Sequence, residues 1–473
     1  MKFLKKYAFL ALFLLSTPTL FAANDDILRA MRDEIQRSLS QLSVPSLQKP
    51  YYVEYTLTFR DAQSMKASLG GIVHERHSPV ATLSVGIRVG KPEFDNTNYF
   101  DVSLGFFGSA DDEESFHNRR VPLELDYSSL RRELWLATDA CYKQSAELFA
   151  KKEASIKNRM RTDTTPDFKG LSAQLLADTG TVPMFDAGYF RQLCKDLSAI
   201  FSEYSAISAS SVNVEFTPEH IYYVNSEGRE YQKTEYYTGL EVVSSTQAAD
   251  GMPLANVYTS YSRKPSELPS RDSLMNAVKL TAANLNRLTF APTLADAYSG
   301  PVLFEDQAAA EIVAQMFAPN LVAQRQPLTE RGMQESERYS AFQNKIGGRV
   351  LPEFLSITAT PNKNNFGTTS LIGSYTIDDD GIAAQQVNLV ENGYLKTLLS
   401  SRIPTKRIKQ SNGHQRGGAA MLSTLELTAK PEKKADKQLE SAALRQKMLK
   451  LCKDRELPYG IIVRKALNQN ILF

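Results

Sequence analysis

Pro301-Val302-Leu303-Phe304-Glu305-Asp306-Gln307-Ala308-Ala309-Ala310-Glu311-Ile312-Val313-Ala314-Gln315-Met316-Phe317 is the stretch on which the reading of this chain turns. A Gly300-Pro301 turn leads into a short apolar run, Val302 to Phe304, and then into a helical pattern. Glu305 and Asp306 fall in the first turn, where the positive end of the helix dipole favours carboxylates. Ala309, Ile312, Val313, Met316 and Phe317 recur at i, i+3, i+4, i+7 and i+8, one face of an amphipathic helix. The pattern predicts an uninterrupted helix, buried by that face behind a strand.

Downstream the period changes to that of strands, at 349–360, 370–377, 383–391 and 394–401. Asn392-Gly393 between the last two is a type I′ hairpin signal. Helix 439–454 and strand 460–464 follow a charged stretch at 430–437, and 324–344 is polar and predicted to be exposed. Upstream, 25–42 is an amphipathic helix, and 51–60, 67–74, 81–89 and 100–107 are strand-like. Asp126 can cap a long helix over 127–158 that carries the only Trp, Trp135. A polar link at 162–169, a helix at 190–204, strands at 211–216, 221–225, 230–237, 239–245 and 255–261, and a helix at 273–288 complete this half. The expectation is an α+β protein of two domains. Residues 24–291 form an antiparallel sheet with long helices, and 292–473 form a β-rich C-terminal domain.

Four patterns invite a chemical reading. His74-Glu75-Arg76-His77 has two imidazoles, but residues three apart on a strand face opposite sides, so an exposed loop is expected rather than a metal site. His117 and His220 stand alone, and the acidic run at 109–114 reads as a solvated turn. The polar, Gly-rich, basic segment 406–418 contains Arg407, His414 and Arg416; such a loop can turn backbone amides and charge towards a peptide carboxylate or another anion. Asp378-Asp379-Asp380-Gly381 reads in isolation as a turn.

The order strand, helix, then a β-rich stretch with Asp378-Asp379-Asp380-Gly381 and Glu391-Asn392-Gly393 resembles the C-terminal half of the TldD/PmbA (TldE) family of metallopeptidase-related proteins. In catalytic members of that family the helix carries a His-Glu-x-x-x-His zinc motif. The matching residues here are Ala310-Glu311-Ile312-Val313-Ala314-Gln315, which keep Glu311 and lack both imidazoles. On a regular helix, moreover, positions five apart point roughly 140° away from each other, so two ligands there converge only where the helix is distorted. The resemblance also implies that Asp378 and Asp380 lie near a central cleft, and that Arg407, His414 and Arg416 occupy a functional loop. The family's C-terminal Cys ligand is not transferred to Cys452, which falls in an amphipathic helical pattern.

What the resemblance implies is a non-catalytic, TldE-like subunit with no zinc or other cofactor of its own. Its partner would be a zinc-bearing TldD-like homologue, or a second copy of itself as a dimer, and its substrate class would be peptides. One alternative is an active metallopeptidase with atypical ligands, such as His414 with nearby carboxylates. Another is a peptide-binding or structural envelope protein.

The first residues add a compartment. Lys2, Lys5 and Lys6 precede an apolar run from Tyr7 to Leu15, and Ala22-Ala23 offers a cleavage site, so residues 1–23 read as a signal peptide, too short to span a bilayer comfortably. An exported protein, periplasmic or extracellular, is expected, with no integral membrane span. Cleavage removes three of the 55 basic residues, which leaves one fewer than the 53 acidic ones, and no basic tract suggests nucleic acid. Only Cys141, Cys194 and Cys452 are present; Cys141 and Cys194 fall on apolar helical faces, and no disulfide framework is expected. The chain stops at Phe473 soon after a strand, which leaves room for a further C-terminal segment in comparison with longer exported relatives.

Overall fold

A computed structural model describes residues 19–45, 47–100, 119–157, 163–293, 297–329, 341–430 and 441–466. The n- and h-regions of the expected signal, the run 109–114, His117 and almost all of the stretches 100–107 and 430–437 lie outside the described residues. Helix α1, Thr19–Gln41, starts six residues ahead of its expected limit.

The N-terminal half is built on very long strands. β1 (Pro50–Ser68) and β2 (Gly71–Lys91) form one hairpin around Leu69-Gly70, both at positive φ. β3 (Gln174–Asp178), β4 (Ala209–Asn225), β5 (Arg229–Gln247) and β6 (Pro253–Ser262) extend the sheet in the order β2-β1-β4-β5, with β6 antiparallel and β3 parallel to β5. Where the sequence predicts shorter strands, separated at 61–66, 75–80 and 217–220, the chain runs straight through. Pro218 is the instructive case. It pairs with Tyr236 of β5, whereas the ladder to β1 jumps from Arg60↔Glu219 to Gln63↔Phe216. A residue without an N–H is accommodated where a ladder is interrupted. His74 and His77 correspondingly lie in β2 and not in a loop, with His77 Nε2 against Asp61 across the hairpin.

Because side chains alternate along a strand, the odd residues of β1 define one face. Val53, Tyr55 and Leu57 pack under α1 and the long helix α2 (Tyr127–Ile156), capped by Asp126 as expected. Met65 and Ala67, further along the same face, pack under α3 (Ala187–Ala199) and α4 (Arg271–Leu288). All these helices lie on one side of the sheet. The opposite face is left for the C-terminal part, whose turn at Ile377 packs on Ile221, Tyr223 and Tyr231.

That part has its own core, formed by Leu321, Ile357, Leu389, Val390, Leu395, Leu398 and Leu399 around a small antiparallel sheet. Here β7 (Val302–Phe304) and helix α5 (Asp306–Ile312) precede the sheet of β8 (Leu355–Ala359), β9 (Val387–Glu391), β10 (Tyr394–Leu395) and β11 (Leu425–Ala429). Helix α6 (Ser441–Asp454) and β12 (Ile461–Val463), which runs parallel to β7, close it. The fold is α+β in two domains, and its C-terminal strands are shorter than their sequence patterns. Asn392 and Gly393 both have positive φ, as a type I′ turn requires.

The opening stretch departs from its expectation. α5 is only seven residues long and passes into a π turn, Val313–Phe317, and then a 3₁₀ turn, Ala318–Leu321. The wider π turn takes Met316 out of the core; it is 69% exposed, and Val313 is only half-buried. Ala308 and Glu311 are the buried residues of α5, while Val302 and Phe304 of β7 are exposed. Glu305 is the N-cap residue, buried, with Arg445 of α6 bound to both carboxylate oxygens at 2.6 and 2.8 Å.

Candidate functional site

The second face of the sheet and the Asp378–Gly381 turn meet in a polar junction. In β1 and β4, Tyr52 and Tyr223 are buried and both hydroxyls donate to Oε2 of Glu54, at 2.7 and 2.8 Å. Nδ2 of Asn225 donates to the same two hydroxyls at 3.2 and 3.1 Å. Burial pushes both phenols well above their ordinary range, with the Glu54 charge adding to it. They are hydrogen-bond donors at any physiological pH.

Arg402, fully buried, crosses from the C-terminal domain to this cluster. Its Nη1 donates to Tyr52 Oη at 3.1 Å, its Nη2 to Glu227 Oε2 at 2.5 Å and its Nε to Lys169 O at 3.0 Å, with the guanidinium 4.0 Å from the Phe168 ring centre. Arg229 of β5 reaches the other way and donates to Gly381 O, and also to Ser172 O at 2.7 Å and Gln174 Oε1 at 2.6 Å. Two arginines thus tie the domains together by charge-assisted hydrogen bonds with planar geometry. The expected polar link at 162–169 is part of the same framework, since buried Asp167 takes Lys152 at 2.6 Å and Arg325 at 3.0 Å.

Within the C-terminal domain, Asp378 organises the turn and the Gly-rich loop at once. Its Oδ1 accepts from Asp380 N and Ile382 N at 3.0 and 2.8 Å, and its Oδ2 from Gln415 N at 3.1 Å. Asp379 N donates to Gln415 O, and Gly417 N donates to the Asp379 carboxylate, both at 2.8 Å. Burial raises Asp378 to about 6, although its backbone hydrogen bonds pull the other way. Asp380 is also raised, first by burial and then by the charge of Asp378, with Arg402 opposing.

The other predicted positions divide. His414 is fully buried: its Nδ1 donates to Asn412 O at 2.9 Å, and its Nε2 lies 3.3 Å from Ser423 Oγ. Burial lowers it to about 4, so it is a neutral pillar of the loop rather than a mobile cation. Arg416 lies over the Tyr375 ring at 4.7 Å, and Arg407 is exposed and donates to Ile346 O at 3.3 Å. Glu311 is remote from this cluster in its contacts. Gln307 Nε2 donates to one oxygen at 2.5 Å and Ala466 N to the other at 2.8 Å. Among the described residues, no group of three or more His, Cys, Asp or Glu side chains is placed to share a metal ion.

Chemically, the junction offers tyrosine hydroxyls, buried carboxylates with raised proton affinity and fixed guanidinium groups. Those groups are already engaged with one another and with the backbone of both domains. Sequence reading missed Tyr52, Glu54, Tyr223, Arg229 and Arg402, because each is an ordinary strand or loop residue that also meets a partner far away in the chain. The local signal that could have pointed to it is the turn sequence Asn225-Ser226-Glu227-Gly228, which holds two of the partners.

Residues 297–469 match the family model of the PmbA/TldA metallopeptidase C-terminal domain. Among solved structures, the chain is similar to a protein named as a modulator of DNA gyrase from Thermotoga maritima, at 13% identity over 88% of this chain and 79% of that one, TM-score 0.53. It is similar to a second protein so named, from Bacteroides thetaiotaomicron, at 13% identity over 85% and 77%, TM-score 0.52. It is also similar to TldE from Thermococcus kodakarensis, at 12% identity over 88% and 79%, TM-score 0.50. At these identities the likeness is one of fold. No protein of curated function matches the chain.

Proposed function

We propose, for a chain that belongs to the TldD/PmbA family, a peptide-binding, non-catalytic role of the TldE kind, exercised outside the cytoplasm and alongside a zinc-bearing homologue or a second copy of itself. The observation that carries this reading is the state of Glu311. The resemblance makes it the retained acid of a zinc motif, yet both its oxygens are engaged, by Gln307 and by the backbone of Ala466. A general base of zinc hydrolysis needs a metal-bound water beside it, and the flanking positions are Ala310 and Gln315.

The backbone itself is compatible with a metal helix. The π turn Val313–Phe317 supplies the kind of distortion that ligands five apart require, so side chains and not helix geometry argue against a zinc site here. His414 supports no alternative ligand set, being buried with both ring nitrogens engaged by Asn412 and Ser423.

The test is metal content and peptidase activity of the purified chain. We expect less than about one zinc per ten chains, against full occupancy at a genuine catalytic site, and no peptide cleavage. A chelator-sensitive peptidase activity lost in Glu311→Gln would overturn the proposal. Co-purification of a homologue with an intact His-Glu-x-x-x-His helix supports the partner assignment.

A further inference from the structure

A cavity of about 260 Å³ lies between the second face of the sheet and the C-terminal domain, with Arg263, Arg416, Tyr236, Tyr237 and Ile372 in its wall. Its acidic residues are already matched. Glu219 pairs with Arg60 at 2.5 Å, and Glu235 with Lys233 at 3.2 Å.

Its other two cations are not matched. Among the described residues, neither Arg263 nor Arg416 has a carboxylate within ion-pair distance. Arg263 donates from Nη2 to Ser374 O at 2.5 Å and leaves a buried Nε with no acceptor. Arg416 rests on the Tyr375 ring, next in sequence to Ser374. A buried donor without an acceptor is costly, and a guanidinium presents a planar fork that suits a carboxylate. Tyr236, Tyr237 and Ile372 add apolar surface beside that charge. The volume is below the roughly 300–1,000 Å³ of sites for drug-sized ligands, which limits the occupant to about one residue.

We propose that this cavity binds a carboxylate borne on a residue-sized apolar body, with Arg263 and Arg416 as its counter-charges. The identification of that body as part of a peptide rests on the function proposed above; the carboxylate site does not. A peptide supplies such a group either at its C-terminus or on an acidic side chain.

Calorimetric titration of the full chain with three probes separates these sources: acetyl-Ala-Phe with a free carboxylate, its C-terminal amide, and acetyl-Phe-Glu-amide. We expect at least one carboxylate probe to bind, the Ala-Phe amide to be at least tenfold weaker than that probe, and the affinity to fall with added salt. Whichever carboxylate binds names the source. Arg416→Gln should weaken the carboxylate probe at least tenfold and leave the amide unchanged, with Arg416→Lys as a second variant that keeps the charge and loses the fork. Arg287→Gln, on the exposed face of α4, should change nothing. Equal binding of acid and amide, no binding of any probe, or a carboxylate affinity indifferent to Arg416→Gln would each overturn the inference. A zinc-dependent peptidase activity would instead remove the non-catalytic reading and leave this site standing.

Discussion

Arg402 shows how a single side chain defines the junction. Buried, it satisfies Tyr52, Glu227 and Lys169 together, so its removal leaves a carboxylate and a carbonyl with lost donors. Arg402→Met should cost about 3–5 kcal/mol, the range for breaking a buried pair from one side. Urea melts would check it, and a loss below 1 kcal/mol would mean that water enters freely. Asp378 and His414 make opposite pH contributions over nearly the same window. The raised acid stabilises the fold fully below its unfolded value near 3.9, and that contribution is lost as pH rises through about 6. The lowered histidine contributes above its unfolded value near 6.5, and this is lost as pH falls through about 4. The separate effects appear only in variants. Asp380→Asn, which removes a second buried carboxyl group whose proton affinity the fold raises, should gain stability relative to the parent as pH rises from 4 to 7. His414→Gln should be destabilised most at pH 7 and progressively less towards pH 4. Parallel curves for parent and both variants would refute the assignment.

At the scale of elements, the decisive feature is the change of helix type after Ile312. An α-helix carried through to Phe317 would have buried Val313 and Met316; the π turn puts Met316 in solvent and leaves Phe317 against Phe342, with ring centres 5.0 Å apart. Met316→Ala should therefore change stability by less than about 0.5 kcal/mol, as exposed substitutions do. Phe317→Ala should cost about 2 kcal/mol, below the fully buried range because the ring is only half-buried. Thermal melts of the pair distinguish this arrangement from the continuous helix, which predicts comparable losses. The hairpin after β9 rests on Gly393 in the same way. Its φ is +79°, and a Cβ there would press on the carbonyl oxygens of Leu351 and Pro352. Gly393→Ala should cost more than the roughly 1 kcal/mol of positive φ alone.

For the whole molecule, the C-terminal core is separate from the apolar clusters under the N-terminal helices, and the junction joins them through a small apolar contact at Ile377 and a larger set of polar bonds. Arg229 is 4% exposed and bridges β5 to the Gly381 carbonyl and to the segment before β3. Arg229→Ala should loosen the C-terminal domain from the sheet before either core melts. We expect a single calorimetric transition to broaden or split, and protease cleavage between residues 288 and 301 to accelerate. One sharp transition at an unchanged temperature would show that Arg229 does not couple the domains. Among the described residues, no helix is long and apolar enough to cross a membrane.

Local pattern by itself determined the α+β class, the Asp126-capped helix, the amphipathic α3 and α4, and the Asn392-Gly393 turn, because periodicity, capping and φ preference act within a few residues. It also determined that Ala310 and Gln315 cannot supply imidazoles. Only the tertiary structure decided three other things. The long strands run through Pro218 and the 61–66 segment because neighbouring ladders supply the register that local propensity lacks. The 313–317 turn opens into a π geometry because its packing is set by Phe342 and the C-terminal core rather than by its own apolar period. The candidate site itself joins Tyr52, Tyr223, Arg229, Asp378 and Arg402 across as many as 350 positions of sequence. Hydrogen bonds and ion pairs at such separations leave no periodic trace in a chain; they exist only once the second face of the sheet has been covered.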